Sequence, residues 1–266
     1  MIYLGPPPAK PARISALNAL LKCPAQMVLQ ALDRSESSPA ADTGSAAGRL
    51  IQLYHEGYLT ADAIERARQE CPTEFPKADL NRAEELFLRY TADERNPRGI
   101  VFPGSCELEV RLVLEPDSSD PTGAPIHLVG HVDQIRTSPD GILRVWDTKA
   151  GKLDDGLAMT RVYAWQLAAY ALAATETLKR PVLPGGIIRL AGYETRSSAG
   201  DPSVAPTHYH TPWTLDECRT MLASAAALIA MLRRGDVLML PGAHCRWCPG
   251  EAPNLCPDRL TPAHLL

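Results

Sequence analysis

The sequence predicts a mixed α/β sandwich, and three observations carry that prediction. Helical periodicity runs through most of the first hundred residues, alternation of period two takes over between about residues 105 and 149, and helices then return around two short strands. Strands grouped in mid-chain, with amphipathic helices before and after, bury both faces only as a sheet covered on each side. No long polar linker interrupts the 266 residues. They are read as one domain, 1–266, with a mostly helical part over 13–100, a strand-bearing core over 101–195 and a C-terminal part over 196–266.

In chain order, Ser15 is placed to cap a helix through ALNALLKCPAQMVLQAL, with Pro24 kinking or restarting it after Cys23. The composition of SESSPAADTGS reads as a loop, after which Thr43 or Ser45 opens a second helix through AAGRLIQLYHEG, closed by Gly57. ADAIERARQE and KADLNRAEELFLRYTADE carry two more amphipathic helices. In SCELEVRLVLE, Glu107, Glu109 and Arg111 alternate with Leu108, Val110 and Leu112; PIHLVGHVDQIRT and GILRVWDTK follow, joined by an SPDG turn, so three neighbouring strands are expected. A helix from about Gly156 to Leu178, a strand in GGIIRLAGYE, a short strand near THYHTPW and a helix from Asp216 to Arg233 complete the pattern.

Charge and composition narrow the function. A formal net charge of −4 gives no global attraction to phosphate, so a nucleic-acid contact requires a local basic face. Arg13, Arg49, Arg82, Arg89, Arg95, Arg98, Arg233, Arg234 and Arg246 crowd the early helices and the C-terminal end, while Tyr163, Trp165 and Trp247 are aromatic candidates to stack on bases. The opening MIYLGPPPAKPAR lacks the apolar stretch of a secretion signal, and no apolar run reaches membrane-spanning length. A cytoplasmic protein without membrane contact is expected, whose seven cysteines are thiols or metal ligands rather than a disulfide framework.

The most informative segment is VGHVDQIRTSPDGILRVWDTKAGK. Asp133 ends an apolar strand, and Asp147 and Lys149 project to one side of the next, because strand side chains alternate. Pairing of the two strands through the intervening turn brings Asp133 to the same place. Two carboxylates and an ammonium are poor core residues, since a buried charge left unpaired costs roughly 3–5 kcal/mol. Around a divalent cation such as Mg²⁺ or Mn²⁺ they make sense, because hard oxygen ligands hold it and it activates water for attack on a phosphoryl group.

GHVDQI and VWDTKAGK together resemble motifs II and III of the PD-(D/E)XK nuclease superfamily, in particular its RecB-like branch, and the later WQLAAYALA is similar to that branch's Q-x-x-x-Y motif through Gln166 and Tyr170. The resemblance implies a restriction-endonuclease-like core: a central mixed sheet flanked by helices, with a helical N-terminal part and a C-terminal cysteine cluster. It implies a Mg²⁺- or Mn²⁺-dependent deoxyribonuclease, in character an exonuclease of DNA repair, recombination, phage replication or CRISPR adaptation, acting on DNA that is single-stranded or has free ends. Protein partners in repair or CRISPR adaptation are implied with it. Asp133, Asp147 and Lys149 are its implied catalytic residues, the two aspartates also binding metal, and Gln166 and Tyr170 face the DNA. Glu109 is a further acidic candidate for the metal, although a surface ladder with Glu107 and Arg111 explains it equally. The branch usually carries a histidine in an early helix, where GSAAGRLIQLYHEG has Gly48; His55, two turns on, is the candidate replacement ligand. Loss of that histidine keeps open a catalytically inactive DNA-binding or scaffold protein.

Near the C-terminus CRWCPGEAPNLCP holds Cys245, Cys248 and Cys256, one ligand short of a four-thiolate site. The iron–sulfur members of the family, among them the CRISPR-associated exonucleases, supply the fourth from an N-terminal helix, and Cys23 in LLKCPAQ fits that role. Thiolate spacing alone does not separate zinc from iron and sulfide. The resemblance points to a [4Fe–4S] cluster, with Zn²⁺ as the alternative, closing the two chain ends together.

Overall fold

The computed structural model describes residues 11–24, 37–151, 161–192, 204 and 206–236. Strand β1 (Ala12–Arg13) and a single 3-10 turn (Ile14–Ala16) lead into helix α1 (Leu17–Lys22), followed by α2 (Pro39–His55), α3 (Thr60–Glu74) and α4 (Leu80–Ala92). Strands β2 (Leu108–Leu114), β3 (Ile126–Val132), β4 (Gln134–Thr137) and β5 (Leu143–Lys149) come next, then α5 (Ala164–Leu178), β6 (Val182–Arg189), β7 (Thr207–His210) and α6 (Leu215–Arg233).

Two sheets share one continuous course of chain. The first has the order β1-β3-β2, with β1 parallel and β2 antiparallel to β3; the second runs β4-β5-β6-β7, parallel only between β5 and β6. β3 ends at Val132 and β4 begins at Gln134, so the chain crosses from one sheet to the other through a single residue, Asp133. The opposing chain bridges the same seam: Glu107 N–H donates to Asp133 O at 3.2 Å and Phe102 N–H to Ile135 O at 2.7 Å.

Helices cover both faces, as the pattern predicts. α1, α5 and α6 pack on Val110, Leu112, Leu128, Val132, Ile135 and Val145, whereas α2, α3 and α4 pack on Trp146, Ile188 and Leu190. The alternation in β5 therefore sends Val145, Asp147 and Lys149 toward α5 and Trp146 and Thr148 toward the other layer. α5 is buried at every residue from Trp165 to Ala174, as befits a helix apolar on all sides and packed against neighbours all round. α4 buries Ala83, Leu86, Phe87 and Tyr90, one stripe at helical spacing, and Asp79 caps it by accepting from Arg82 N–H at 3.0 Å.

Local start signals account for the departures from the sequence reading. α2 begins at Pro39, capped by Ser38, so most of the expected loop is helical; Pro at the first position suits a helix start. Thr43 is then an interior residue whose hydroxyl donates to Pro39 O at 2.7 Å. Ser15 lies in the 3-10 turn and caps nothing, and α1 stops at Lys22, directly before Cys23 and Pro24. β6 starts three residues earlier than its glycines suggest, with Pro184 beside a register shift against Val145 and Trp146 where its missing N–H does no harm. α6 opens on a capping box in which Thr214 and Glu217 satisfy each other's backbone N–H groups.

Candidate active site

The acidic centre forms where the sheet seam meets the carboxyl end of β5. Asp133 holds the seam, and its Oδ2 accepts from Thr148 N–H at 2.6 Å, which fixes it to β5. Asp147 is 2% exposed; its Oδ1 accepts from Gln166 Nε2 at 2.8 Å, and its Oδ2 lies 2.6 Å from Lys149 Nζ. Gln166 in turn accepts from Asn18 Nδ2 at 2.5 Å, so a chain of side chains from α1 through α5 orients one carboxylate. Lys149 sits over the Tyr163 ring at 4.8 Å, with a quarter of its side chain exposed.

Charge is unevenly balanced here. Loss of solvation, then the neighbouring charge of Asp147, raises the Asp133 carboxyl well above its ordinary range. Burial alone would make the Lys149 ammonium easier to deprotonate, but the charges of Asp147 and Asp133 outweigh it and hold it above the ordinary lysine value. As the carboxylates stand, Lys149 is held as an ammonium paired with Asp147.

A third carboxylate belongs to the site, and it is Glu107. Its φ of 52° puts it in the left-handed region, uncommon for a residue with a Cβ. That turn, just ahead of β2, breaks the alternation with Glu109. Burial, and then repulsion from Asp147, raise the Glu107 carboxyl, while His131, Lys149 and Arg49 pull the other way. Glu109 is instead an outward residue accepting from Arg111 at 2.9 Å, both side chains more than half exposed. The expectation of Glu109 at the metal gives way to Glu107, because only the residue with the reversed backbone turns inward.

His55 is not gathered with these carboxylates. Tyr90 Oη donates to Gln134 Oε1 at 3.0 Å and accepts from Arg136 Nη2 at 2.9 Å; its second lone pair takes the proton of His55 Nε2, 2.7 Å away. Burial, then the charges of Arg136 and Arg98, lower the His55 pKa to about 4, so the ring is neutral. The position that faces the site is Gly48: a Cβ there would stand 3.9 Å from Glu107 Oε1. Among the described residues, no three His, Cys, Asp or Glu side chains lie close enough together to hold a metal as they stand. The donor set still suits a hard divalent cation, since Asp133, Asp147 and Glu107 offer only oxygens and repel one another.

Gln166 and Tyr170 do not meet solvent, at 2% and 5% exposure, so their expected contact with DNA gives way to a positioning role. Tyr170 fills the space over Gly130, where a Cβ would come 2.9 Å from Tyr170 Cε1. Gln166→Leu keeps the volume but strands Asp147 Oδ1 and Asn18; we expect a loss of about 1–3 kcal/mol in urea unfolding, alongside weaker activity, and an unchanged midpoint would deny Gln166 this role. Of the expected phosphate-facing arginines, Arg49, Arg82, Arg89, Arg95 and Arg233 are each paired with a carboxylate. Cys23 is buried just after α1; Cys245, Cys248 and Cys256 lie outside the described residues. No described helix is long and apolar enough to cross a membrane.

No curated protein matches the chain at a significant level. A solved structure described as "Crystal structure of SSO0001" aligns over 92% of this chain and 97% of its own, at 15% identity and a TM-score of 0.37, a likeness too distant to carry an argument. The family model for the PD-(D/E)XK nuclease superfamily matches residues 14–257, a span that includes Glu107, Asp133, Asp147, Lys149 and Gln166. The chain belongs to the PD-(D/E)XK nuclease superfamily.

Proposed function

We propose that this protein is a metal-dependent deoxyribonuclease of the RecB-like branch that hydrolyses phosphodiester bonds, with exonuclease character. The observation that carries the reading is the meeting of Asp133, Asp147 and Lys149 at the sheet seam, in a chain whose superfamily consists of nucleases. Asp133, Asp147 and Glu107 would hold Mg²⁺ or Mn²⁺. When bound, such an ion supplies Lewis-acid polarisation of a phosphoryl oxygen and a water of lowered pKa.

The protein's own contributions follow from the contacts. Thr148 N–H and the Asn18–Gln166 pair hold two carboxylates in fixed orientations, and the carboxylates must draw closer together to receive a cation. Lys149, kept charged by its acidic neighbours, stabilises negative charge that develops on phosphoryl oxygens during attack. The cysteines Cys23, Cys245, Cys248 and Cys256 are proposed as a structural [4Fe–4S] or Zn²⁺ set on their spacing and family resemblance.

The test is incubation of anaerobically purified protein with linear and circular, single- and double-stranded DNA in Mg²⁺, Mn²⁺ or EDTA, with iron and zinc measured on the same sample. Cleavage of linear DNA that needs the divalent ion supports the reading. Tight DNA binding without cleavage in any metal favours the inactive scaffold instead, for which Gly48, beside Glu107 where the branch has a histidine, is the specific observation.

A further inference from the structure

Arg189 is the last residue of β6 and pairs in register with Lys149 across the parallel β5–β6 ladder. Paired residues of parallel strands project to one face. Arg189 and Lys149 therefore project side by side from the carboxyl end of the sheet, on the face that carries Asp147. The fold treats the two cations differently. Lys149 has Asp147 within 2.6 Å, whereas Arg189 is only 6% exposed and its Nε is buried without a hydrogen-bond partner among the described residues.

Arg233 Nε is buried without a partner too, but the other buried arginines each engage an acceptor through another part of the guanidinium. Arg136 donates to Gln134, Tyr90 and Asn96; Arg233 donates to Asp120; Arg89 is paired with Glu85. A guanidinium stays charged at any physiological pH, and burying one without acceptors is unfavourable unless an acceptor arrives. Its planar fork matches an oxyanion with two oxygens on one side, such as a phosphodiester. The acidic centre beside it repels free anions in general, so the ligand must be one that the centre itself engages.

We infer that Arg189 binds a phosphate of the nucleic acid, the one held beside Lys149 at the end of β5 and β6. The assignment rests on the nuclease reading and gives the site a cation not used to neutralise its own carboxylates. It also gives an acceptor to an Nε that is buried without one among the described residues.

The experiment uses the full chain and a fluorescent single-stranded oligonucleotide in Ca²⁺, so that binding is read without turnover, across a series of salt concentrations. Arg189→Met should weaken binding about 10- to 100-fold and reduce the slope of log K against log salt by about one. Arg189→Lys should restore the slope but not the full affinity, because lysine lacks the fork. Without DNA, the melting temperature of Arg189→Met should match or exceed that of the wild type. Affinity and slope unchanged in both variants would overturn the inference, as would a lowered melting temperature with unchanged affinity, which assigns the arginine to the fold. Wild-type protein that neither binds nor cuts DNA removes the nuclease reading itself; wild type that does both, with Arg189→Met indistinguishable from it, removes only this assignment.

Discussion

Lys149→Ala is expected to lower the rate of DNA cleavage by at least about 10²–10³-fold, the usual consequence of deleting one preorganised charge from a phosphoryl-transfer site. The same change leaves Asp147 buried at 2% exposure with its ion-pair partner gone. Breaking a buried pair costs roughly 3–5 kcal/mol, reduced here to about 1–3 kcal/mol because the lysine end is a quarter exposed. Divalent metal should recover that stability, since it supplies the positive charge that Lys149 supplied. The prediction thus separates two roles: Lys149→Ala protein stays responsive to Mg²⁺ or Mn²⁺ in thermal melts yet does not cut DNA. A variant that cuts at the wild-type rate would end the proposed role for the lysine.

Acid should destabilise the protein through two buried histidines before it protonates most carboxylates. Burial, then nearby arginine charge, lowers His55 and His208 to about 4 from an ordinary value near 6.5. The unfolded chain then binds more protons between those values, so the contribution of each histidine is full above pH 6.5 and is lost as pH falls toward about 4. Each is worth on the order of 2–3 kcal/mol over that window. The raised carboxyls of Asp133 and Glu107 work in the opposite sense, because the folded state takes up their protons first. Comparison with His55→Gln and His208→Gln isolates the histidine part: glutamine keeps a donor for Tyr90 or Asn96 but does not titrate. Stability of the wild type relative to each variant should fall from pH 7 to pH 4 in denaturant titrations. A constant difference would mean that these rings titrate alike folded and unfolded.

The strands of the acidic centre were legible in the sequence because the information they need is local. Alternation across GILRVWDTK put Asp147 and Lys149 on one face, and the SPDG turn brought the preceding strand alongside, so the meeting of Asp133 with Asp147 required no knowledge of the rest of the fold. Glu107 was not legible in this way. Alternation placed it with Glu109, and only a backbone φ of 52° sends it inward, a reversal that no side-chain pattern encodes. His55 misled for a related reason: helical spacing gave the correct helix, but its ring is claimed by Tyr90 on a different helix. Gln166 and Tyr170 were found by their motif, yet their depth depends on α5 being enclosed by both sheets, which is a property of the assembled layers. Arg189 escaped notice because an arginine at the end of a strand is ordinary until its register with Lys149 and the unpartnered state of its Nε among the described residues are known.

The single residue between β3 and β4 makes Asp133 a hinge pin shared by two plates. Its backbone belongs to the crossing between the sheets while its carboxylate is tied to β5 by Thr148 N–H, so one residue joins the seam to the strand that carries Asp147. Gly130 leaves room at the seam for its neighbours: a methyl there would come 2.9 Å from Tyr170 Cε1 and 3.2 Å from Ile14 Cβ. A larger residue at Gly130, on β3 three positions before Asp133, would therefore disturb the seam while leaving every acidic side chain in the sequence.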